Sequence, residues 1–556
     1  MRVTTKGSWL HAAFCLMMLA ATAAPALTIT VTSLADDVFP NDTGAIFDIN
    51  GAPVVLATQK CTLRMAIAAG DLDAAVGGAN GCAAGSGPDT IVFGAALNLT
   101  AVPGTIALAD RGMSEKPATY SPPQIIQSAL IVSAPLTITG PGSAFLTIDG
   151  GIPGNSGRRL LNVSDGSATV DAPFFVTGLR LLRGRALEQS AGCMFSSESV
   201  TITDVVFESC ESVGGPSQNA FGGALGVGNI NAGGNYRPNV TVSNAVFIAN
   251  RSTRGSNLAS LPQVGAAYFG SGSSRFVGTV NISNSRFLGN SAESVGGLLV
   301  NDASSVSMSS TQFLSNSATG SPSFLNGGRF GGFRIVVVSG NVGLTDVAVL
   351  GNSANQERGG YSVQTIGGTT TITDGGVLGN IAINGRIGGF EVLTDNFDAS
   401  GNCLGTQKSQ VVINGLAVDA NNAATNTGGF RVTCSGTVAI TGMAVRGNEV
   451  FGSPVAGSGG NSAGNISNNL GVTMNNTQIV NNQTFSGAVD GGFGVMTVQD
   501  NTSFGGTALL VKENFAQQNE AGLTLRANGA GRNFTLGHSA FVDNRANGSI
   551  SALLLD

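Results

Sequence analysis

Histidine is almost missing. There are two in 556 residues, and one of them, His11, lies in the leader. That argues against metal sites built on histidine and against a Ser/His triad. Charge is scarce as well: Asp, Glu, Lys and Arg make up 11% of the chain, with a formal net charge of −6. The basic footprint of a nucleic-acid binder is therefore absent. Beyond the leader no segment reaches the roughly 18 consecutive apolar residues of a membrane-spanning helix. The mature chain is expected to carry no spanning segment. No close cysteine pairs suggest zinc, and the spacing of an EF-hand is missing. Phosphate loops and nucleophile elbows are absent too. No cofactor is expected.

Glycine is plentiful, at 81 residues, and 42% of the chain is hydrophobic, which does not suit disorder. The start reads as a secretory leader. Arg2 and Lys6 supply the positive region, Leu10 to Ala24 the apolar region, and Ala21-Thr22-Ala23 a small-residue cleavage site. A signal peptide over 1–23 predicts a secreted protein, extracellular or held on the outer cell surface. Its removal leaves Cys61, Cys82, Cys193, Cys210, Cys403 and Cys434. An even number in an exported chain suggests disulfides, and nearest neighbours are the pairing expected among fifteen connectivities. Free buried thiols are the alternative. A Cys403–Cys434 bond would pin a long loop to the next coil.

The body of the chain repeats. Asn281 to Val300, NISNSRFLGNSAESVGGLLV, shows the unit. An alternating apolar run is followed by Phe287, then Asn290, then a Gly-Gly pair leading into a second apolar run. Alternation of period two signals a strand, and Asn or Gly after it signals a turn. A central apolar residue leads, eight positions on, to an anchor: Ile202 to Cys210, Val242 to Asn250, Ile282 to Asn290, Met308 to Asn316, Leu344 to Asn352 and Ile372 to Asn380. Ile413, Ile440, Met474 and Leu536 lead likewise to Asn421, Asn448, Asn482 and Asn544. The shortest steps, roughly 25–28 residues, lie in the solenoid range.

A unit that short holds about three strands and three turns and cannot bury its apolar face alone, so it must stack on its neighbours. The chain is therefore expected to be all-β, a right-handed parallel β-helix of three-strand coils. Thr203, Ser243, Ser283, Ser309, Thr345, Thr373 and Thr441 should form one exposed column. Each anchor Asn can take the left-handed turn conformation, and its amide can bond to the Asn above. Extra residues fall in two sets. One follows the anchor, as at Arg251–Pro262 and Glu449–Gly464; the other follows the Gly-Gly strand, as at Gly228–Pro238 and Thr394–Ser409. Each set should stack into a ridge. Phe-x-x-Asn with Gly-Gly-apolar resembles the repeats of chlamydial polymorphic membrane proteins, which are surface adhesins with a C-terminal membrane barrel. This sequence ends Ser-Ala-Leu-Leu-Leu-Asp without such a barrel.

Leu27 to Leu34 alternates and reads as a first strand. Asp36, Asp37, Asp42 and Asp48 follow in a turn-rich stretch, either Ca²⁺ ligands or a solvated loop, with the loop preferred. From Cys61 the chain offers its one good helix: Thr62 can cap it, and Leu63, Ala66 and Ile67 share a face. Such a helix suits the open end of a β-helix, where uncovered strand edges invite pairing with another chain. Cys61-Thr62-Leu63-Arg64-Met65-Ala66 resembles the CSLREA domain at four of six letters, with Met65 replacing the acidic residue. Gly87-Pro88-Asp89-Thr90-Ile91-Val92-Phe93, LTITGPGSAFLTIDGG from Leu136, and Arg159 fit the same family. The resemblance implies a bacterial exported β-helix protein and no particular reaction. A cap region over 24–135 is expected, with Lys116–Gln127 a loop, followed by coils over 136–556.

Candidate binding residues come from columns. Arg334, Ser362, Glu391 and Arg431 should share one outward column on successive coils, with Glu391 and Arg431 about 5 Å apart. They read as a sugar-acid site, an Arg gripping a carboxylate, or as an exposed cross-strand ion pair. Asp346 and Asp374 occupy equivalent turn positions, as a Ca²⁺ or hydrolase pair or as simple turn residues alongside Asp204, Asn244, Asn284, Ser310, Asn476 and His538. Arg180, Arg183 and Arg185 make a local basic spot. Neither a polygalacturonase-like acidic trio nor a pectate-lyase-like Asp cluster is seen, so no catalytic residue and no metal site is assigned. The expectation is an adhesive, glycan-binding or structural protein, with a polysaccharide or a host or neighbouring cell surface as partner. A polysaccharide lyase or glycoside hydrolase on the same scaffold is the alternative.

Overall fold

The computed structural model describes residues 26–40, 45–47, 53–54, 60–109, 128–151, 158–167, 169–187, 189–214, 221–228, 236–254, 263–270, 277–320, 328–338, 340–394, 403, 409–452, 460–485, 495–517, 521–526, 533–547 and 552–555. The leader, Asp42, Asp48 and the expected loop Lys116–Gln127 lie outside them, as does much of both expected ridges.

The described chain is a parallel β-helix. The central apolar residues stack in register: Ile202 on Val242, then Ile282, Met308, Leu344, Ile372, Ile413, Ile440 and Met474. One coil escapes the sequence pattern. Between Met474 and Leu536 the same position is Gly506, while the anchor, Asn514, is present. Periodic apolarity fails where glycine fills an apolar slot.

A coil carries more segments than three. In the coil at Val240 the first strand, Val240–Ser243, bends at Asn244 into Val246–Ile248. A short strand, Arg251–Thr253, follows, and then the glycine strand, Ala267–Phe269. In Val200–Glu208 the first two are continuous, so they are one strand with a left-handed corner. The corner residues are the expected turn column: Asp204, Asn244, Asn284, Ser310, Asp346, Asp374, Asn476 and His538 all have φ between 44° and 56°.

The anchor asparagines differ from expectation by one position. Left-handed φ belongs to the residue before each, Ala249, Gly289, Ser315, Gly351 and Gly379 among them. That corner turns the asparagine inward, where it is fully buried. There it builds the ladder. Nδ2 of Asn250, Asn290, Asn316, Asn352, Asn380, Asn421 and Asn448 each donates to the next Oδ1 at 2.9 Å. The same Oδ1 also accepts a backbone N–H, as from Asn290 to Asn316 at 3.0 Å. Nδ2's second hydrogen goes to a carbonyl on the preceding coil, as from Asn316 to Phe287 at 2.9 Å. Burying an amide is costly unless its groups are bonded, and here they are.

Aromatic rings fill the interior. Phe207, Phe247, Phe287 and Phe313 stack with centroids 4.6–4.7 Å apart, close to the rung spacing of about 4.8 Å. Phe333, Tyr361, Phe390 and Phe430 form a second file under the glycine strands. The Gly-Gly pair is required by crowding between rungs. A Cβ on Gly296 would lie 2.3 Å from the Gly331 carbonyl oxygen, and one on Gly331 2.1 Å from that of Gly359.

Stacking begins earlier than position 136. Thr28–Val31 already pairs with Asp89–Phe93, which pairs with Leu136–Thr139. Helix α1, Leu63–Leu72, packs against this N-terminal end, on strands Thr28–Val31, Asp89–Phe93 and Ser128–Val132. Thr62 Oγ1 accepts the Met65 N–H at 3.3 Å, as a cap should. Leu63, Ala66 and Ile67 are buried. Arg64 is buried too, forked onto Asp36 through Nε at 2.8 Å and Nη2 at 2.7 Å. The stretch expected as a solvated loop thus supplies a buried partner in Asp36; Asp37 is exposed. Three disulfides join nearest neighbours: Cys61–Cys82, Cys193–Cys210 and Cys403–Cys434.

Candidate functional site

On the glycine strands, residues alternate between the aromatic file and the opposite face. Leu299, Arg334, Ser362, Glu391, Arg431 and Asn465 share that opposite column in unbroken register. The expected column therefore exists. It is not an open surface. Tyr268, Leu299, Ser362, Glu391, Thr497 and Thr524 point away from the core yet are buried. Tyr268 and Leu299 join Val264, Val295 and Phe330 in an apolar cluster of their own, outside the main core. Much of this face is withdrawn from solvent, while Arg334, Arg431 and Asn465 stay partly exposed.

The ion pair expected to be exposed has its carboxylate buried and Arg431 partly exposed, and it has a third member. Glu391 is 1% exposed, with Arg431 Nη1 at 3.6 Å and Arg358 Nη2 at 2.5 Å. Arg358 also pairs with Glu357, whose other oxygen lies 3.9 Å from Arg329 Nε. The guanidinium carbons of Arg334 and Arg358 each lie 5.2 Å from the centre of the Phe330 ring, within cation–π range. Arg334 has Gln364 Oε1 at 3.5 Å, and no carboxylate lies within ion-pair distance among the described residues. Burial, followed by repulsion from Arg358 and Arg329, brings its pKa down to about 10. In Arg358 the opposite holds: the attraction of Glu391 and Glu357 outweighs burial and raises it.

Arg358, Glu357 and Arg329 are absent from the sequence-based set. Arg358 precedes a Gly-Gly pair, in a bridge column otherwise filled by Val264, Val295, Phe330, Ile387, Thr427 and Asn461. One cation among neutral residues was the signal. Reading only the column after the glycines misses it.

The other candidates do not join this site. Asp346 and Asp374 sit exposed at left-handed corners on another side of the coil. No group of three possible metal-ligating side chains occurs among the described residues. The basic spot is paired off: Arg180 with Glu208, Arg183 with Asp149, and Arg185 with Glu211 at 2.9 Å. Arg183 and Asp149 show the coupling from both sides. Their hydrogen bond raises the guanidinium and, against burial, lowers the carboxyl. No described helix is long and apolar enough to cross a membrane.

No protein-family description matches the sequence, and no curated protein does. Among solved structures the chain is similar to the A-module of the mannuronan C-5 epimerase AlgE6 of Azotobacter vinelandii. The identity is 11%, with 81% of this chain and 90% of that one covered, at a TM-score of 0.31. The strand register above, not this likeness, establishes the fold.

Proposed function

We propose that the chain is an exported extracellular β-helix protein that binds a glycan along the outward face of its glycine strands, in an adhesive role. One observation carries the reading: a continuous column of polar and charged side chains, withdrawn from bulk water, next to apolar and aromatic surface. Binding clefts combine apolar walls with a few placed polar groups in this way. Three disulfides support a life in an oxidising compartment. A column repeated at each rung also suits a polymer better than a small molecule.

A lyase or hydrolase on the same scaffold is a second reading, favoured by the convergence of Glu391 with Arg358 and Arg431. Against it stand the shielding of Glu391 and, among the described residues, the lack of any lysine or histidine in the cluster. Purified protein incubated with neutral and uronic-acid polysaccharides, with and without Ca²⁺, separates the two. The expected outcome is retention on a polysaccharide with no new chain ends. Release of unsaturated or reducing ends would overturn the purely adhesive reading.

A further inference from the structure

Resting on the glycan-binding reading above, we infer that the arginine cluster at Phe330 seats a sugar carboxylate, so that the glycan bound here is a uronic-acid polymer. Among the described residues the cluster is short of negative charge. Arg329, Arg334, Arg358 and Arg431 face two carboxylates, Glu357 and Glu391, and Glu391 is already shared by two of them. Asp302 is a further acid that feels the charge of Arg334. Burial holds its carboxyl above the usual range, its hydrogen bond is with Asn301 Nδ2 at 3.3 Å, and among the described residues it forms no ion pair within 4.0 Å. Arg334 is thus a partly buried cation with no carboxylate of its own among the described residues. Arg358 Nε, also buried, has no hydrogen-bond acceptor.

A cation taken from water without a partner is costly. Surface lysines and arginines in solution do not meet this problem, whereas two guanidiniums crowded at one buried aromatic ring do. An added carboxylate relieves both deficits: it accepts the fork of Arg334 and offsets the repulsion between Arg334 and Arg358. The pyranose to which it is attached would lie beside Leu299 and Tyr268, which continue the column on the preceding coils, and Phe330 of the bridge column, all three nearly buried. A free inorganic anion satisfies the charge but not that patch. A neutral sugar satisfies the patch but not the charge.

The test is calorimetric titration of the purified mature chain at low ionic strength. The ligands are a panel of uronic-acid oligosaccharides, their methyl esters, neutral oligosaccharides of equal length, and sodium sulfate. A uronic-acid oligosaccharide should bind at least about 10-fold more tightly than its methyl ester or any neutral one, as expected for a charge-assisted hydrogen-bonded pair. Arg334→Gln should weaken that binding about 10–100-fold, and Arg334→Lys should lose less. Affinity for the acidic ligand should fall as NaCl rises, a readout that needs no variant. Binding of the methyl ester or neutral oligosaccharide as tightly as the acid overturns the carboxylate seat and leaves glycan binding standing. Failure of every oligosaccharide overturns both. Sulfate binding as tightly as the oligosaccharide overturns the sugar assignment. So does unchanged acid binding by an Arg334→Gln protein that melts with the native chain.

Discussion

At the scale of single residues the asparagine ladder matters most. Each anchor amide makes bonds that the coil cannot replace from elsewhere. Removing Asn316 strips the acceptor from the Asn290 N–H and Nδ2, and the donor from the Phe287 carbonyl. Leaving buried groups unmet costs about 1–3 kcal/mol each. Asn316→Ala should therefore lose about 3 kcal/mol or more in urea denaturation, well above a change at the preceding corner such as Ser315→Ala. A loss below about 1 kcal/mol would mean that water or local relaxation replaces the ladder. The sequence showed which residues recur but not how the corner aims them. Whether asparagine supplies the turn or the buried amide depends on which of two adjacent residues takes positive φ.

At the scale of elements, helix α1 is tied down at both ends. Its first turn is held by the Cys61–Cys82 disulfide and the buried Arg64–Asp36 pair. Near its end Asp71 Oδ1 accepts the backbone N–H groups of Ser133 and Ala134 at 3.0 and 3.1 Å. Burial nevertheless pushes the Asp71 carboxyl up to about 7. The folded chain thus holds this proton more tightly than the unfolded chain. The stability it contributes is full below about pH 4 and is lost as pH rises to about 7. Asp71→Asn keeps the accepting oxygen and removes the titration. The variant should match the native chain near pH 4 and exceed it at pH 8, by roughly 1.4 kcal/mol for each pKa unit separating folded from unfolded. Parallel pH dependence of melting for the two proteins would refute this. The helix, its cap and its buried face were legible in the sequence because they are local. Its ion pair was not, since Arg64 and Asp36 are 28 residues apart.

At the scale of the whole molecule the chain is quasi-one-dimensional, each coil touching chiefly its neighbours. Damage should therefore stay where it is made. Leu63 is buried under the first rungs. Leu63→Asp places an unpaired charge against apolar surface and uncovers strand edges able to recruit another chain. Soluble aggregates are expected, with amide exchange rising first from Thr28–Val31 through Leu136–Thr139 and only later in coils beyond Cys210. A monomeric variant with unchanged exchange there would show that α1 is not a cap. Uniform loosening along all coils would show that the solenoid unfolds as one body.

The sequence by itself determined the solenoid. Repeats of period two punctuated by Asn and Gly can bury their apolar residues only by stacking, so strand direction, register and the aromatic files follow from spacing alone. The Arg334–Ser362–Glu391–Arg431 column was legible for the same reason, whereas the disulfides were expected from six cysteines in an exported chain. Only the tertiary structure decided what that column is. Burial is a property of everything packed around a residue, and the register cannot say whether an outward side chain meets water or is covered. Nor could it bring Arg358 to Glu391, because that contact joins two different columns across a Gly-Gly pair whose close rungs are set by the packed fold.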